Sequence, residues 1–491
     1  MDHGSGAGLL HRLTSYTPTR GWDVPVDDPR VRHDLAPNDP ATRPPQFKGY
    51  PGDLPAVTLP TGLAPPDAAA VDVLAGRVPD AVAGPDLAAL GRVLFLGAGV
   101  VRTARRGDGE PFAFRASGSA GARFPLEVYV SAVDVDGLPD GVHWYDAQRH
   151  ALVRVGPPAS GRATTLVVTG VPWRTGWRYA ERGWRHLYWD AGTLVAQLEA
   201  AAASAGLCPR LRTLFPDAAV RALVGADGVH EYPLALLTFG DDAPAVTPAA
   251  TATSGALPEV ELPLCTAAQR AGERDVLGDP WPVGAQVPAD VPVPLAGAAD
   301  AAPPTLDEVI LRRGSQRLMD RGRTLPRAHL EWSTAVATRG VDVPHHVAAH
   351  GVDGLAPGLY RWPDLGSPLR AGDLRDELYR LALRQDLAGD AAYVVLSSAD
   401  PLTLDDRTYR DAQLAAGIVE GRLHLAAYAL GAGASGMTFY DSDLPALLGG
   451  PDDVVGLLLT CVGVPEYASR PGGGPGAPVE VRMVTPRMGD L

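Results

Sequence analysis

The chain has 491 residues, 46% hydrophobic and 20% charged, which supplies ample buried core and excludes global disorder. Its formal charge is −14, from 43 basic and 57 acidic residues, the reverse of what a sheath for nucleic-acid phosphate requires. Lys48 is the only lysine, so any anion clamp must be built from arginine, and a Schiff-base lysine is nearly excluded. Cys208, Cys265 and Cys461 lie far apart with no CxxC pair, which argues against a disulfide framework or a cysteine-rich zinc site. The amino-terminal MDHGSGAGLLHRL has no basic region leading into an apolar run, and the apolar run Val454–Val464 is too short to span a membrane. A cytoplasmic protein is expected.

In chain order, residues 1–59 are rich in Pro, Asp and Arg without a sustained period and read as an extended arm. Residues 60–241 carry a globular pattern. Residues 242–304 form a Pro/Ala/Gly-rich connector with no clear amphipathic segment. Residues 305–491 carry a second globular pattern, with a loose tail and a final strand-like stretch over Val479–Val484.

The two globular patterns repeat one another. Arg182 and Arg185 precede Gly192 at the same offsets by which Arg407 and Arg410 precede Gly417. Each glycine is followed at equal spacing by a second, Gly206 or Gly431, then by Pro216-Asp217 or Tyr440-Asp441 and a buried strand. Upstream, LEVYVSAVDVDGLPDGVHWYD is echoed by HHVAAHGVDGLAPGLYRWPD, a strand, a DGL turn and a second strand. The expected fold is therefore two copies of one α+β unit, a homodimer written into one chain, with sites where the copies meet.

The candidate site motifs divide between the halves. Arg312-Arg313-Gly314-Ser315-Gln316-Arg317, read as preceding a helix, offers guanidinium forks and a hydroxyl to one anion. The matching first-half segment, Ala75–Asp80, lacks it. The first half instead has the small-residue loop 115–125, including Gly118, Ser119, Ala120 and Ala122, which lets a flat ligand approach the backbone. Val341–Pro344 replaces that loop in the second half. Gly431–Gly436 fits GxGxxG literally but ends a helix rather than opening one, so a dinucleotide fold is rejected. His346 and His350, if on the expected strand, are roughly 13 Å apart, too far to share a zinc. Ser119 lacks the flanking glycine of a nucleophile elbow.

At these residues the chain resembles the nitroreductase superfamily of FMN-dependent oxidoreductases. More narrowly, it resembles the SagB/thiazole-oxazole oxidase type of azoline dehydrogenase in ribosomal peptide biosynthesis. The motifs PPQFKGYPGDLPAVTLP, SGSAGARFPLEVYV, GVHWYDAQRHALVRVG, WRYAERGWRHLYWDAG and RRGSQR carry the resemblance. It implies tandem nitroreductase-like domains forming a fused pseudo-dimer with one FMN site. Arg313, Ser315 and Arg317 would hold the phosphate, with Arg470 as a further contact. Gly118, Ser119, Ala120 and Ala122 would line the isoalloxazine, and Gly436, Met437 and Thr438 its pyrimidine edge. The family's catalytic Lys-Tyr pair corresponds to Arg178 and Tyr179. Arginine does not serve as a base, which leaves Tyr179 as base or hydrogen-bond donor, its pKa open to lowering by Arg178. The implied partners are an azoline-containing precursor peptide and a cyclodehydratase. A generic NAD(P)H-dependent nitro or quinone reductase and a non-catalytic peptide-binding scaffold are the alternatives.

Overall fold

The computed structural model describes the chain except residues 1–4, 21–27, 33, 64, 65, 67, 79–83, 107, 108, 290, 295–301, 451–453 and 488–491. Pro79, Asp80 and part of the Pro/Ala connector thus lie outside the described residues. Among the described residues, no helix is long and apolar enough to cross a membrane.

Two antiparallel sheets are organised alike. In the first, the strands Ala56–Thr58, Ala151–Gly156, Gly141–Asp146, Leu126–Ala132, Thr165–Gly170, Tyr232–Phe239 and Pro209–Arg212 lie side by side in that order. In the second, the order is Arg370–Ala371, Gly358–Arg361, His345–Ala349, Tyr393–Ala399, Val455–Gly463 and Gly433–Met437. Each strand of the second has a first-sheet counterpart in the same relative place. Both sheets even shift register along the corresponding strand, at Val168/Thr169 and at Ser397/Ser398.

Two long helices, Gly183–Ser204 and Asp406–Ala429, pack against each other at the centre. Both are buried over most of their length, so apolar residues fall on nearly every face and the charged ones among them, such as Arg185, Asp190, Arg407 and Arg410, are buried too. They cross at glycine. A Cβ on Gly192 would lie 2.3 Å from the Leu414 carbonyl oxygen, and one on Gly417 2.3 Å from that of Trp189. Any side chain at either position would force the backbones apart.

The paired arginines clamp the opposite half. Arg182 and Arg185 donate to the two carboxylate oxygens of Asp441, each at 2.6 Å. Arg407 and Arg410 do the same to Asp217, at 2.9 and 3.1 Å. The side chains of all six are buried, so each carboxylate is compensated by a guanidinium pair rather than by water.

The structure differs from the expected extended arm and featureless connector. Residues 6–14 form a helix capped by Ser5, and Pro263–Ala271 form a helix within the connector. Each has nine residues, and they occupy corresponding places. Thr14 O accepts from Arg182 at 2.8 Å and the Tyr16 amide donates to Asp441 at 2.7 Å. Gly272 O accepts from Arg407 at 3.2 Å and the Arg274 amide donates to Asp217 at 2.9 Å. The end of the arm, Ala56–Thr58, pairs with Ala151–Val153 and so belongs to the first sheet. Of the expected stretch Val479–Val484, Val479–Glu480 forms a strand, parallel to Val100–Arg105.

Candidate functional site

The Leu306–Arg312 helix opens with a capping box between Thr305 and Glu308 and ends at Arg312. RRGSQR therefore follows a helix instead of preceding one. Beyond it the chain runs beside the edge strand Gly433–Met437: Ser315 bridges Ala434, and the Gln316 amide donates to Ala434 O at 2.9 Å. This addition to the sheet edge brings Ser315 and Gln316 alongside Ala434.

Arg313 crosses to the other half. Its Nε and Nη2 donate to the Ala116 carbonyl at 3.1 and 2.5 Å. Its Nη1 is buried without a hydrogen-bond partner and lies 3.4 Å from where a Cβ on Gly118 would sit. Burial, reinforced by Arg102, pushes its pKa down to about 10, so it stays a cation at neutral pH. Arg102 straps the segment by donating to the carbonyls of Leu311, Arg313 and Arg470. Arg470 itself is exposed and donates to Glu480 O at 2.9 Å, so its guanidinium is not gathered with Arg313 as expected.

The small-residue loop is held from behind by Asp190, on the first central helix. Ser119 Oγ donates to Asp190 at 2.6 Å, and the Ala120 amide at 2.8 Å. The Phe124 amide then donates to Ser119 Oγ at 2.8 Å. The Ser119 hydroxyl is thus committed within the protein. Gly121, Ala122 and Phe124 all adopt positive φ, at 56, 53 and 48°, a local strain that the Asp190 contacts offset. Burial raises Asp190 to about 8, against the opposing effect of these hydrogen bonds.

Arg178 and Tyr179 lie at the end of the Pro172–Tyr179 helix. A Cβ on Gly121 would lie 2.7 Å from Arg178 Cδ and 2.8 Å from the Tyr179 hydroxyl, so this glycine lets the loop close over the pair. Tyr179 stacks on His186 with centroids 4.0 Å apart and planes at 9°. Burial raises the Tyr179 pKa; Arg178 and Arg317 pull it down but do not prevail. The expected lowering is thus reversed. Tyr409, on the second central helix, is bonded to His11 at 3.1 Å.

On the far wall, Gly436 leaves room for Glu420: a Cβ there would lie 2.1 Å from Glu420 Oε1. Met437 is buried, and Thr438 accepts from Arg182 Nη2 at 3.4 Å. Glu420 and Asp190 escaped sequence reading. Their signal was asymmetry: the repeat puts Val195 and Ala415 at the corresponding positions of otherwise similar helices. No group of metal-binding residues occurs among the described residues; His345 bonds to Ser397 at 3.1 Å.

The corresponding place in the other direction is filled. Arg77 is bound to Asp72 and to Val287 O. The connector passes over it, with Trp281 Nε1 donating to Gly340 O at 2.7 Å and the Val287 amide to Ala75 O at 3.0 Å.

No family model matches the chain. Over 166 residues it is 30% identical to a protein named as a nitroreductase in Methanocaldococcus jannaschii, an alignment spanning 31% of this chain and 78% of that one. The crystal structure of a protein named as a nitroreductase from Anabaena variabilis ATCC 29413 superposes over 94% of this chain and 100% of its own. The TM-score is 0.70 at 24% identity, a likeness of fold. A nitroreductase-named structure from Exiguobacterium sibiricum 255-15, in complex with FMN, aligns with 34% of this chain and 91% of its own, at TM-score 0.27 and 15% identity.

Proposed function

Because this chain belongs to the nitroreductase family, whose homologues of this fold bind FMN, we propose that it is an FMN-dependent azoline dehydrogenase. It would oxidise peptide thiazolines or oxazolines to thiazoles or oxazoles. In this reading the two halves are copies of one unit, a fused pseudo-dimer. The reciprocal glycine crossing and the reciprocal arginine clamps support it. The precursor peptide and a cyclodehydratase are its partners.

The observation that carries the reading is Arg313 Nη1, a buried donor without a partner beside Gly118. A buried guanidinium N–H aimed at a small-residue loop suits a phosphate, which accepts charge-assisted hydrogen bonds. Ser315 and Arg317 follow it on the same extended segment and would share the phosphate. Gly118, Ala120 and Ala122 would present backbone to the flat ring, with Gly436, Met437 and Thr438 on the opposite side. When bound, FMN supplies a two-electron acceptor that dioxygen regenerates.

The chain's own residues do the rest. Ring oxidation releases a hydride, which the flavin would take, and a proton, which would pass to solvent water; Tyr179, kept protonated by burial, donates a hydrogen bond to the ring heteroatom of the substrate rather than acting as a phenolate base. Arg178 orients it through a hydrogen bond. Asp190 holds the loop that closes over both.

The test is to load the purified protein with FMN and supply a thiazoline peptide without nicotinamide. Loss of two hydrogens from the peptide, with dioxygen uptake, is expected. Rapid bleaching of the flavin by NAD(P)H, with no peptide oxidation, would instead assign a nitroreductase-type activity to the same site.

A further inference from the structure

We propose that Glu420, on the second central helix, is a specificity-determining residue of this site, its carboxylate accepting from the imide N–H of the flavin's pyrimidine ring; this rests on the cofactor reading just given. A Cβ on Gly436 would collide with both oxygens of Glu420, so the carboxylate stands where a side chain of the edge strand would project. Val195 takes the matching position on the first central helix. The acidic group is thus found in the direction where Arg313 has a free donor. It is missing in the other, where Arg77 is bound to Asp72 and Val287 O.

Glu420 is weakly held within the protein. His424 lies one turn further along the same helix, with Nε2 3.6 Å from Glu420 Oε1, too long for a hydrogen bond. Burial lowers the His424 pKa, so at neutral pH it faces Glu420 as an uncharged ring. Among the described residues His424 is the one ion-pair neighbour of Glu420, whose side chain is only 16% exposed. A carboxylate set this deep costs free energy unless a donor reaches it. Its charge is felt on both sides of the cleft. Burial raises Asp190 to about 8 and Glu420 adds to the rise; burial lowers Arg313 and Glu420 opposes the fall.

The site therefore lacks an acceptor at Arg313 Nη1 and a donor at Glu420. FMN supplies both. Its phosphate accepts from a guanidinium, and its pyrimidine ring carries one N–H between two carbonyls. An ionised carboxylate has only acceptor atoms, so it binds that N–H and repels the flanking carbonyls. The ring's rotation in its own plane is fixed as a result. Negative charge beside the ring also opposes electron uptake, which lowers the midpoint potential of the bound flavin.

The experiment uses the purified full chain and two probes, FMN and its N3-methyl derivative, which keeps the ring and phosphate but has no imide N–H. By fluorescence titration the wild type should bind FMN about ten-fold more tightly than the methyl derivative. Glu420→Ala should weaken FMN binding and shrink the preference to about two-fold or less. Glu420→Gln keeps an acceptor oxygen and the side chain's shape, so it should retain most of the preference. It should also raise the midpoint potential of bound FMN, a readout that a merely structural role would leave unmoved. A preference that survives in Glu420→Ala, with both flavins weakened alike, would overturn the proposal, as would an unchanged potential in Glu420→Gln. Binding of neither flavin by the wild type would refute the cofactor reading and this inference with it. A preference that depends on Glu420, without oxidation of a thiazoline peptide, upholds the role of Glu420 while refuting the azoline chemistry.

Discussion

Arg313, from the second half of the chain, donates through Nε and Nη2 to the carbonyl of Ala116 in the first, leaving Nη1 buried and unpartnered. One side chain thus both ties the halves together and offers the proposed phosphate contact. Its first-half counterpart, Arg77, has its donors taken by Asp72 and Val287.

Arg313→Ala should therefore weaken FMN binding by about 100-fold, in line with the loss of a buried charge-assisted contact. Arg77→Ala should leave it unchanged. Flavin fluorescence titration of both variants checks this. Equal losses would remove the asymmetry on which the one-site reading depends.

Tyr179→Phe should retain FMN yet lower kcat/KM by about 10² or more, since it deletes a donor and not a wall. Because burial raises the Tyr179 pKa, the wild-type pH–rate profile should show no limb from its ionisation below about pH 10. A rate unchanged in the phenylalanine variant would take Tyr179 out of the mechanism.

Asp190 gives a signed pH effect. Its folded pKa is about 8, above the unfolded value, so between roughly pH 4 and 8 the folded state holds a proton that the unfolded state has lost. Stability should fall as pH rises through that window and level off above it. Asp190→Asn should flatten this slope, on the order of 5 kcal/mol across the window by urea denaturation.

Asp441 behaves in the opposite sense. Burial pushes its carboxyl up, but Arg182 and Arg185 together outweigh that and hold it well below the usual range. Its contribution is present above the ordinary carboxylate pKa and is lost as pH falls through its own. Asp441→Asn leaves two buried guanidiniums uncompensated and should cost about 3–5 kcal/mol at neutral pH. Asp217→Asn should cost a similar amount, because Arg407 and Arg410 face it in the same way.

Much of the architecture was legible because similar sequence segments fall in both halves and the two sheets share one strand order. The repeated arginine pairs, the two glycines and the strand–turn–strand segments all fall on corresponding elements. That each arginine pair grips the aspartate of the opposite half was not legible, since likeness of sequence reports similarity and not contact. The Gly6–Thr14 and Pro263–Ala271 helices went unread for a related reason. GAGLLHRLT and PLCTAAQRA share almost no residues, and what matches is the backbone each offers to Arg182 or Arg407. Asp190 and Glu420 were hidden among other acidic residues of the two central helices, Glu199 in one and Asp406 and Asp411 in the other, where a single position leaves no periodic signal. The order of helix and anion motif was misread because RRGSQR looks like a helix start. Its run along Ala434 is set by tertiary pairing and not by local propensity.

The most direct measurement is the ratio of FMN to polypeptide after saturation of the purified full chain, from flavin absorbance against protein concentration. The account predicts about one FMN per chain, lost on Arg313→Ala. A ratio near two, or no flavin retained at all, would contradict it.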